Sequence, residues 1–336
     1  MENITFRGKI DSIQLLRVVS SAGITLFHIP CFYNTGLYLE FGVHLFFIIS
    51  AFLMMYTTQH APKKYFVGKR LLRIVPLYWI LTIATFAAMK VLPGFMDGES
   101  DIKSLACSLL FFPYARDGIR GVGVIRPLVG PAWTLNYDML FTIIFALAMK
   151  ESHKYRGVIT ACVLAILLAC GFSFEIDSVP LFFWTRNYWA DFIAGIVVFY
   201  ILKKLYQIPF SQVVRYVFTA IAIVAMGVMC WGGFCEPRWL IFAILGSLAV
   251  ILFLLGMKDV CIPSVLIKAG DISFSFYLFH YYVIILVGKF INLDAFSVNA
   301  MIGTALIFVI TYVLAYISHL MIEDRFTELI RKELRL

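Results

Sequence analysis

Ten apolar stretches, each close to twenty residues long, constrain the fold of this chain more than any other feature. Hydrophobic residues make up 62% of its 336 residues and charged residues only 14%, whereas an ordinary soluble domain has about 25% charged residues. A helix needs about 20 apolar residues to cross the bilayer core. We therefore predict an all-α, polytopic integral membrane protein, a single domain over residues 1–336. The predicted spans are 13–31, 41–58, 75–92, 132–149, 157–174, 187–202, 214–232, 238–257, 272–291 and 299–321.

The basic residues predict how these spans are oriented. Cytoplasmic loops carry an excess of lysine and arginine, and ten spans with both termini cytoplasmic place almost every basic cluster inside. The apolar run 102–113 is too short to span, and counting it would invert every later loop. We therefore interpret 93–131 as one external, partly re-entrant segment. Its arginines either touch lipid headgroups or bind an anionic group.

A polar stripe runs along the first span. Arg17 inside an apolar stretch costs about 3 kcal/mol on insertion scales, and His28 follows eleven residues later. Eleven helical steps return to nearly the same face and rise about 16 Å, and Ser21 and Thr25 lie on that face. The stripe predicts that this helix lines a cavity, a substrate path or an ion path.

The second span and the loop after it carry two further polar groups. His44 lies near the external end of the second span, where Gly42 and Ser50 allow close helix approach. A buried, hydrogen-bonded histidine in a packing helix explains it equally well. The other group is a basic cluster formed by Lys69, Arg70 and Arg73. It is either a topogenic signal or a phosphate clamp, because arginine forks match phosphate oxygens.

Buried acids and a second histidine complete the candidate set. Asp138 follows Trp133 and Tyr137 into the membrane, where an unpaired carboxylate is costly, and Asp191 is a further acid inside a span. Near the end of the chain, Asp271 is expected to cap a helix. Tyr277 and His280 share a face of that helix. By depth, Arg17 and the basic cluster are expected toward the cytoplasm. His28, His44, Asp138 and Asp191 are expected toward the outside.

At these residues the chain resembles the membrane acyltransferase-3 family, and most closely its exopolysaccharide-production branch. The resemblance covers nearly the whole chain and rests on five motifs in order. The matching positions are Asp11, Arg17 and His28; Gly42, Val43, Leu45, Phe46, Phe47, Ser50 and Phe52; Lys69, Arg70, Arg73, Ile74, Pro76 and Tyr78; Trp133–Asp138; and Ser275, Tyr277, Leu278 and His280. Two departures matter, since His44 replaces an aspartate and Asp138 replaces a glutamate.

The resemblance implies an O-acyltransferase of the bacterial inner membrane. It moves an acyl group, usually acetyl, from cytoplasmic acyl-CoA to a hydroxyl of an exported or cell-envelope polysaccharide, or of its lipid-linked precursor. The basic cluster, with Arg17 deeper, is expected to hold the donor's phosphates. His28 is expected to act as general base, oriented by Asp138. The supporting residues are His44, Ser50, Trp133, Tyr137, Asp191, Tyr277 and His280.

Several alternatives stay open from the sequence. A covalent acyl-His28 intermediate is the rival mechanism. A transporter or channel for an anionic solute would use the same intramembrane arginine and histidine. A catalytically impaired acyltransferase-like protein is suggested by His44. We expect no bound cofactor, no metal and no nucleic-acid partner, and the other expected partner is membrane lipid. A homo-oligomer is left open.

Overall fold

The structure is a computed structural model that describes residues 10–59, 66–92, 101–115, 125–232, 236–325 and 328. Every regular element in these residues is helical. The helices are α1 Ser12–His28, α2 Pro30–Tyr33, α3 Phe41–Thr57, α4 Phe66–Val91, α5 Ile102–Leu109, α6 Trp133–Ala148, α7 His153–Ser173, α8 Val179–Trp184, α9 Trp189–Leu205, α10 Gln212–Trp231, α11 Arg238–Gly256, α12 Ser264–Asp271, α13 Ser273–Gly288 and α14 Val298–Ser318. A 3-10 turn, Gly130–Ala132, precedes α6, and a π-helical turn, His319–Asp324, follows α14.

Each predicted span overlaps one of these helices. Five of them, α4, α7, α10, α11 and the helix that begins at Val298, have the length and hydropathy of a membrane span, and the bent pair α12–α13 makes a sixth. The other four, α1, α3, α6 and α9, have 16 or 17 residues. The chain is therefore a polytopic, all-helical membrane protein. The count of ten spans and the cytoplasmic placement of both termini stay predictions.

The described residues form two compact units, the larger within 1–60 and 188–312 and the smaller within 61–187 and 313–336. In the larger unit, α3 packs against α1, α9 and α11. Two glycines lie where these helices approach each other closely. A Cβ on Gly42 would collide with the Ser20 carbonyl, and a Cβ on Gly195 would collide with the Ile48 carbonyl. Small residues at such crossings let helix backbones approach each other, as predicted for Gly42.

The last motif of the sequence lies on a broken helix. The axes of α12 and α13 differ by 71°, and the break falls at Ile272. The prediction that Asp271 caps α13 is wrong, because Asp271 is the last residue of α12 and Ile272 occupies the cap position. Its carboxylate instead accepts a hydrogen bond from the Gln14 amide at 2.8 Å. The bend therefore places a carboxylate of α12 against α1.

The smaller unit contains the segment 93–131, which the sequence predicts to be external and partly re-entrant, and the structure describes its residues 101–115 and 125–131. Helix α5 has eight residues and is about 12 Å long, so the prediction that 102–113 does not span is confirmed. The Tyr78 hydroxyl, near the middle of α4, donates to the Ser108 carbonyl, and the Leu128 amide donates to the Ser108 hydroxyl. Both arms of the segment thus meet halfway along α4. Arg116 and Arg120 lie outside the described residues, and Arg126 is exposed.

Candidate active site

Two histidines meet in the larger unit. His28, the last residue of α1, is half-buried, and His280 in α13 is completely buried. His28 Nδ1 lies 2.8 Å from the Ile24 carbonyl oxygen and 3.3 Å from His280 Nε2. His280 Nδ1 lies 2.5 Å from the Tyr277 carbonyl oxygen. The two site residues predicted from the first and last motifs are therefore in direct contact.

Aromatic rings surround this histidine pair. Phe27 and Tyr281 meet the His28 ring edge-on, with centroid distances of 5.3 and 5.6 Å. Tyr277, predicted on the His280 face, lies 5.6 Å from that ring. Packing of this kind restricts the orientation of both imidazoles, which is what a base aimed at one proton requires.

The rest of the predicted stripe has local partners. The Ser21 and Thr25 hydroxyls donate to carbonyls of their own helix, those of Val18 and Ser21. Buried Arg17 donates through Nη1 to the Gln14 side-chain oxygen at 3.2 Å, and Gln14 donates in turn to Asp271. The hydroxyls are satisfied without a solute path. Arg17, Gln14 and Asp271 thus form a hydrogen-bond network that joins α1 to α12.

A histidine–aspartate pair lies elsewhere in the larger unit. His44 Nδ1 lies 2.8 Å from Asp191 Oδ2, and the two residues are 4% and 1% exposed. The His44 ring stacks on Phe242 at 4.8 Å, and Phe242 stacks on Tyr38. The other carboxylate oxygen of Asp191 is buried without a hydrogen-bond partner in the described part of the chain. Asp191 is thus the partner of the histidine that replaces the motif aspartate.

Two titratable groups flank this pair just before α3 begins. Burial raises the pKa of the Glu40 carboxyl, while the nearby His44 acts in the opposite direction. Burial also raises the pKa of the Tyr38 phenol above its ordinary value, and the charge of Glu40 adds to that effect. Both side chains are half-buried just before α3 begins.

In the smaller unit, Arg70 and Asp138 form an ion pair. Arg70 Nη2 lies 2.5 and 2.7 Å from the two Asp138 oxygens, and Arg70 Nε donates to the Thr142 hydroxyl at 2.8 Å. The prediction that these two charges lie at different depths is wrong. Because the residues before α6 pack at the level of Tyr78, α6 begins near the middle of α4, and Asp138 lies beside the first turns of α4.

The other predicted residues of the smaller unit divide between its surface and its interior. Lys69 and Arg73 are exposed, unlike Arg70 between them. The buried Tyr137 hydroxyl donates to the Phe183 carbonyl, and Trp133 lies edge-on to both rings. These aromatics fix the start of α6 and hence the position of Asp138. Ser50 belongs to the larger unit, where it is half-buried on α3.

Two polar partners were missed at the level of the sequence. Gln14 precedes Arg17 by three residues, and Thr142 follows Asp138 by four. Both spacings put the partner on the same helical face as the charge. A search for polar residues one turn from each intramembrane charge would have found them. Among the described residues, no three His, Cys, Asp or Glu side chains are grouped as a metal site.

Comparison with known proteins now decides the family. A family model described as "Acyltransferase domain", Acyl_transf_3, matches residues 10–320. The chain belongs to the acyltransferase-3 family. It is also similar to the exopolysaccharide production protein ExoZ of Rhizobium meliloti (strain 1021), with 28% identity over 264 residues that cover 74% of this chain and 77% of that relative. No solved structure matches the chain.

Family membership and the helices together make this protein a multi-pass membrane acyltransferase. The matched residues include the His28–His280 pair, the His44–Asp191 pair and the Arg70–Asp138 ion pair. The roles of these residues in the acyltransferase reaction remain proposals.

Proposed function

We propose that this acyltransferase moves an acetyl or related acyl group from cytoplasmic acyl-CoA to a hydroxyl of an exported polysaccharide or its lipid-linked precursor. It works in the cytoplasmic membrane of a bacterium. The similarity to a protein named for exopolysaccharide production supports the class of acceptor. Acyl-CoA is the donor that the family resemblance implies.

The observation that carries this proposal is the placement of His28. It ends α1 half-buried, next to a fully buried histidine, while Arg17 lies eleven residues earlier in the same helix. A hydroxyl that attacks a thioester must lose its proton, and a neutral imidazole accepts protons near neutral pH. His28 is the base in this proposal.

For the donor, the exposed Lys69 and Arg73 are the best candidates to meet the phosphates of acyl-CoA. Arg70 is engaged in a bidentate pair with Asp138, and a guanidinium held in this way has a fixed orientation. Arg70 is therefore proposed to orient the site that binds acyl-CoA, and Asp138 to hold Arg70. The expectation from the sequence that Asp138 orients His28 stays a prediction.

Neither alternative function gains support from a specific contact. A solute path along α1 was suggested by the stripe that begins at Arg17 and ends at His28. Arg17 donates to Gln14, and the Ser21 and Thr25 hydroxyls of the stripe donate within their own helix. Loss of catalysis was suggested by His44, which has a carboxylate partner in Asp191.

The test uses the purified protein in liposomes with radiolabelled acetyl-CoA and the exported polysaccharide of the host. We expect release of free CoA and label in the polysaccharide. His28→Ala should lower this turnover about 10²- to 10⁴-fold, the usual contribution of a general acid–base group. His153→Ala, at the first residue of α7, is the matched control and should keep activity. No turnover by the wild-type protein would reject the function, and full turnover by His28→Ala would reject the base.

A further inference from the structure

We infer that the ring proton of His28 stays on Nδ1, so that Nε2 of His28 is the reactive nitrogen, and that His280 is a positioning residue that accepts a hydrogen bond from that Nδ1 proton. The inference about the tautomer stands on geometry alone. Its consequence for catalysis rests on the function proposed above.

The first step concerns His28 itself. Its Nδ1 lies 2.8 Å from the Ile24 carbonyl oxygen. A carbonyl oxygen only accepts hydrogen bonds, so Nδ1 must carry a proton. In a neutral imidazole with a proton on Nδ1, the lone pair is on Nε2. The carbonyl of the preceding helical turn therefore selects the tautomer of His28.

The second step concerns His280. Its Nδ1 lies 2.5 Å from the Tyr277 carbonyl oxygen, so that nitrogen also carries a proton. Its Nε2 faces His28 Nδ1 at 3.3 Å. Because His28 Nδ1 already bears a hydrogen, a second hydrogen on His280 Nε2 would point at the first. His280 Nε2 must therefore be the acceptor, and the His28 N–H is shared between a carbonyl and a histidine.

The third step is the reaction. Nε2 of His28 takes the proton of the acceptor hydroxyl while the oxygen forms a bond to the acyl carbon. The C–S bond of the thioester then breaks, and the departing thiolate takes the same proton from Nε2. Between these events the imidazolium donates from Nδ1 to Ile24 and His280, and such charge-assisted bonds are stronger than neutral ones. His280 thus stabilises the charged form without touching substrate.

Two substitutions separate this role from simple packing. Gln at position 280 has a side-chain oxygen that can accept the His28 N–H, whereas Leu fills the space without an acceptor. Hydrogen bonds to charged groups contribute about 1.5–3 kcal/mol. We therefore expect His280→Leu to lower kcat roughly 10- to 100-fold with little change in KM for acetyl-CoA, and His280→Gln to recover most of that loss. Equal losses in both variants, or full activity in His280→Leu, would overturn the positioning role.

The tautomer is measured directly by nitrogen-15 NMR of the full-length protein labelled at histidine, which has only six histidines. Loss of its signals in His28→Gln assigns His28. We expect a protonated Nδ1 and an unprotonated Nε2 on His28 in the wild-type protein, without any substrate. A proton on Nε2 would overturn the inference even if the enzyme is active. Conversely, the predicted tautomer in a protein that turns over no acyl-CoA would reject the proposed function alone.

Discussion

Two histidines of the larger unit, His28 and His44, are held by partners of different chemistry. His28 is held by a backbone carbonyl and by another histidine, at 2.8 and 3.3 Å. His44 is held by the carboxylate of Asp191 at 2.8 Å. His28 is half-buried, whereas His44 and Asp191 are almost completely buried.

We propose that this difference separates a reactive histidine, His28, from a structural one, His44. A carboxylate deep in the protein needs its partner, because removing one member of a buried pair leaves a charge without compensation. A histidine shared between neutral acceptors can gain and lose a proton at its other nitrogen without stranding a charge. We therefore expect changes in the His44 pair to affect stability first and changes in the His28 pair to affect turnover first.

The largest expected effect that would test this comparison is that of Asp191→Ala on stability. Loss of one member of a buried pair costs about 3–5 kcal/mol, here because His44 keeps its ring at the α3–α9 contact with no carboxylate. Thermal unfolding of the purified protein in detergent measures the loss. Asp294→Ala, which removes an exposed acid, is the control. An unchanged midpoint in Asp191→Ala would remove the structural role of the pair.

Asp138→Asn is the second test, with a smaller expected effect. It weakens the bidentate pair with Arg70, whose charge-assisted bonds contribute about 1.5–3 kcal/mol. We expect weaker binding of acetyl-CoA, by about tenfold, because the Arg70 guanidinium loses its fixed orientation. Equilibrium binding of labelled acetyl-CoA measures this, with Arg215→Ala in the larger unit as control.

The same variant, Asp138→Asn, can also contradict the conclusion that His28, unlike His44, works without a carboxylate. If Asp138→Asn abolishes turnover while acetyl-CoA affinity is unchanged, a carboxylate acts on His28 after all. The difference between a carboxylate-held and a carboxylate-free histidine would then be lost. Asp138→Glu adds the longer acid of the family motif, and its retained binding and turnover would show that the Arg70 contact tolerates that reach.

The third test exchanges the members of the His44 pair. His44→Asp combined with Asp191→His keeps one acid and one imidazole at the contact of α3 and α9 and restores an acid at position 44. Neighbouring residues couple by about 0.5–3 kcal/mol, so the double variant should lose less stability than the sum of the two single losses, by an amount in that range. Thermal unfolding of the three variants measures the coupling. Additive losses would mean that the two side chains do not act as a pair.

The smallest effect is expected from the pH dependence of stability at Glu40. Burial raises its pKa in the folded state. A carboxyl with a raised pKa stabilises the fold below its unfolded pKa, near 4.3, and this contribution is lost as the pH rises through the folded pKa. Glu40→Gln should abolish that loss, so the variant gains stability relative to wild type as the pH increases. Parallel melting curves at each pH would contradict this.

The sequence was sufficient to predict the individual helices and most of the candidate residues. Each predicted span overlaps a helix, because about twenty apolar residues define a span whatever surrounds them. His28 and His280 were both found, but their contact was not, since it depends on how α13 is bent away from α12. Asp191 was predicted to be a buried acid with no partner in its own helix, and its partner is His44 on the neighbouring helix α3.

The sequence was misleading where the topology had to be assumed. Arg70 and Asp138 were separated in depth because the segment before α6 was expected to lie mostly outside. Its two arms instead converge on Ser108, which Tyr78 contacts near the middle of α4. Nothing in the local pattern of residues 101–131 gives the level along α4 at which this segment packs. Tertiary hydrogen bonds determine it.

The shortness of α1, α3, α6 and α9 has a consequence for the lipid environment. Helices of 16 or 17 residues reach about 24–26 Å, less than the roughly 30 Å of a typical hydrocarbon core. If these four helices cross the membrane, as the sequence predicts, the hydrophobic mismatch is relieved when the bilayer thins locally, at a cost of a fraction of a kcal/mol for each ångström. In the proposed reaction, a thinner bilayer also shortens the distance between the cytoplasmic thioester and the external hydroxyl. Membranes of short-chain lipids should therefore suit this enzyme best.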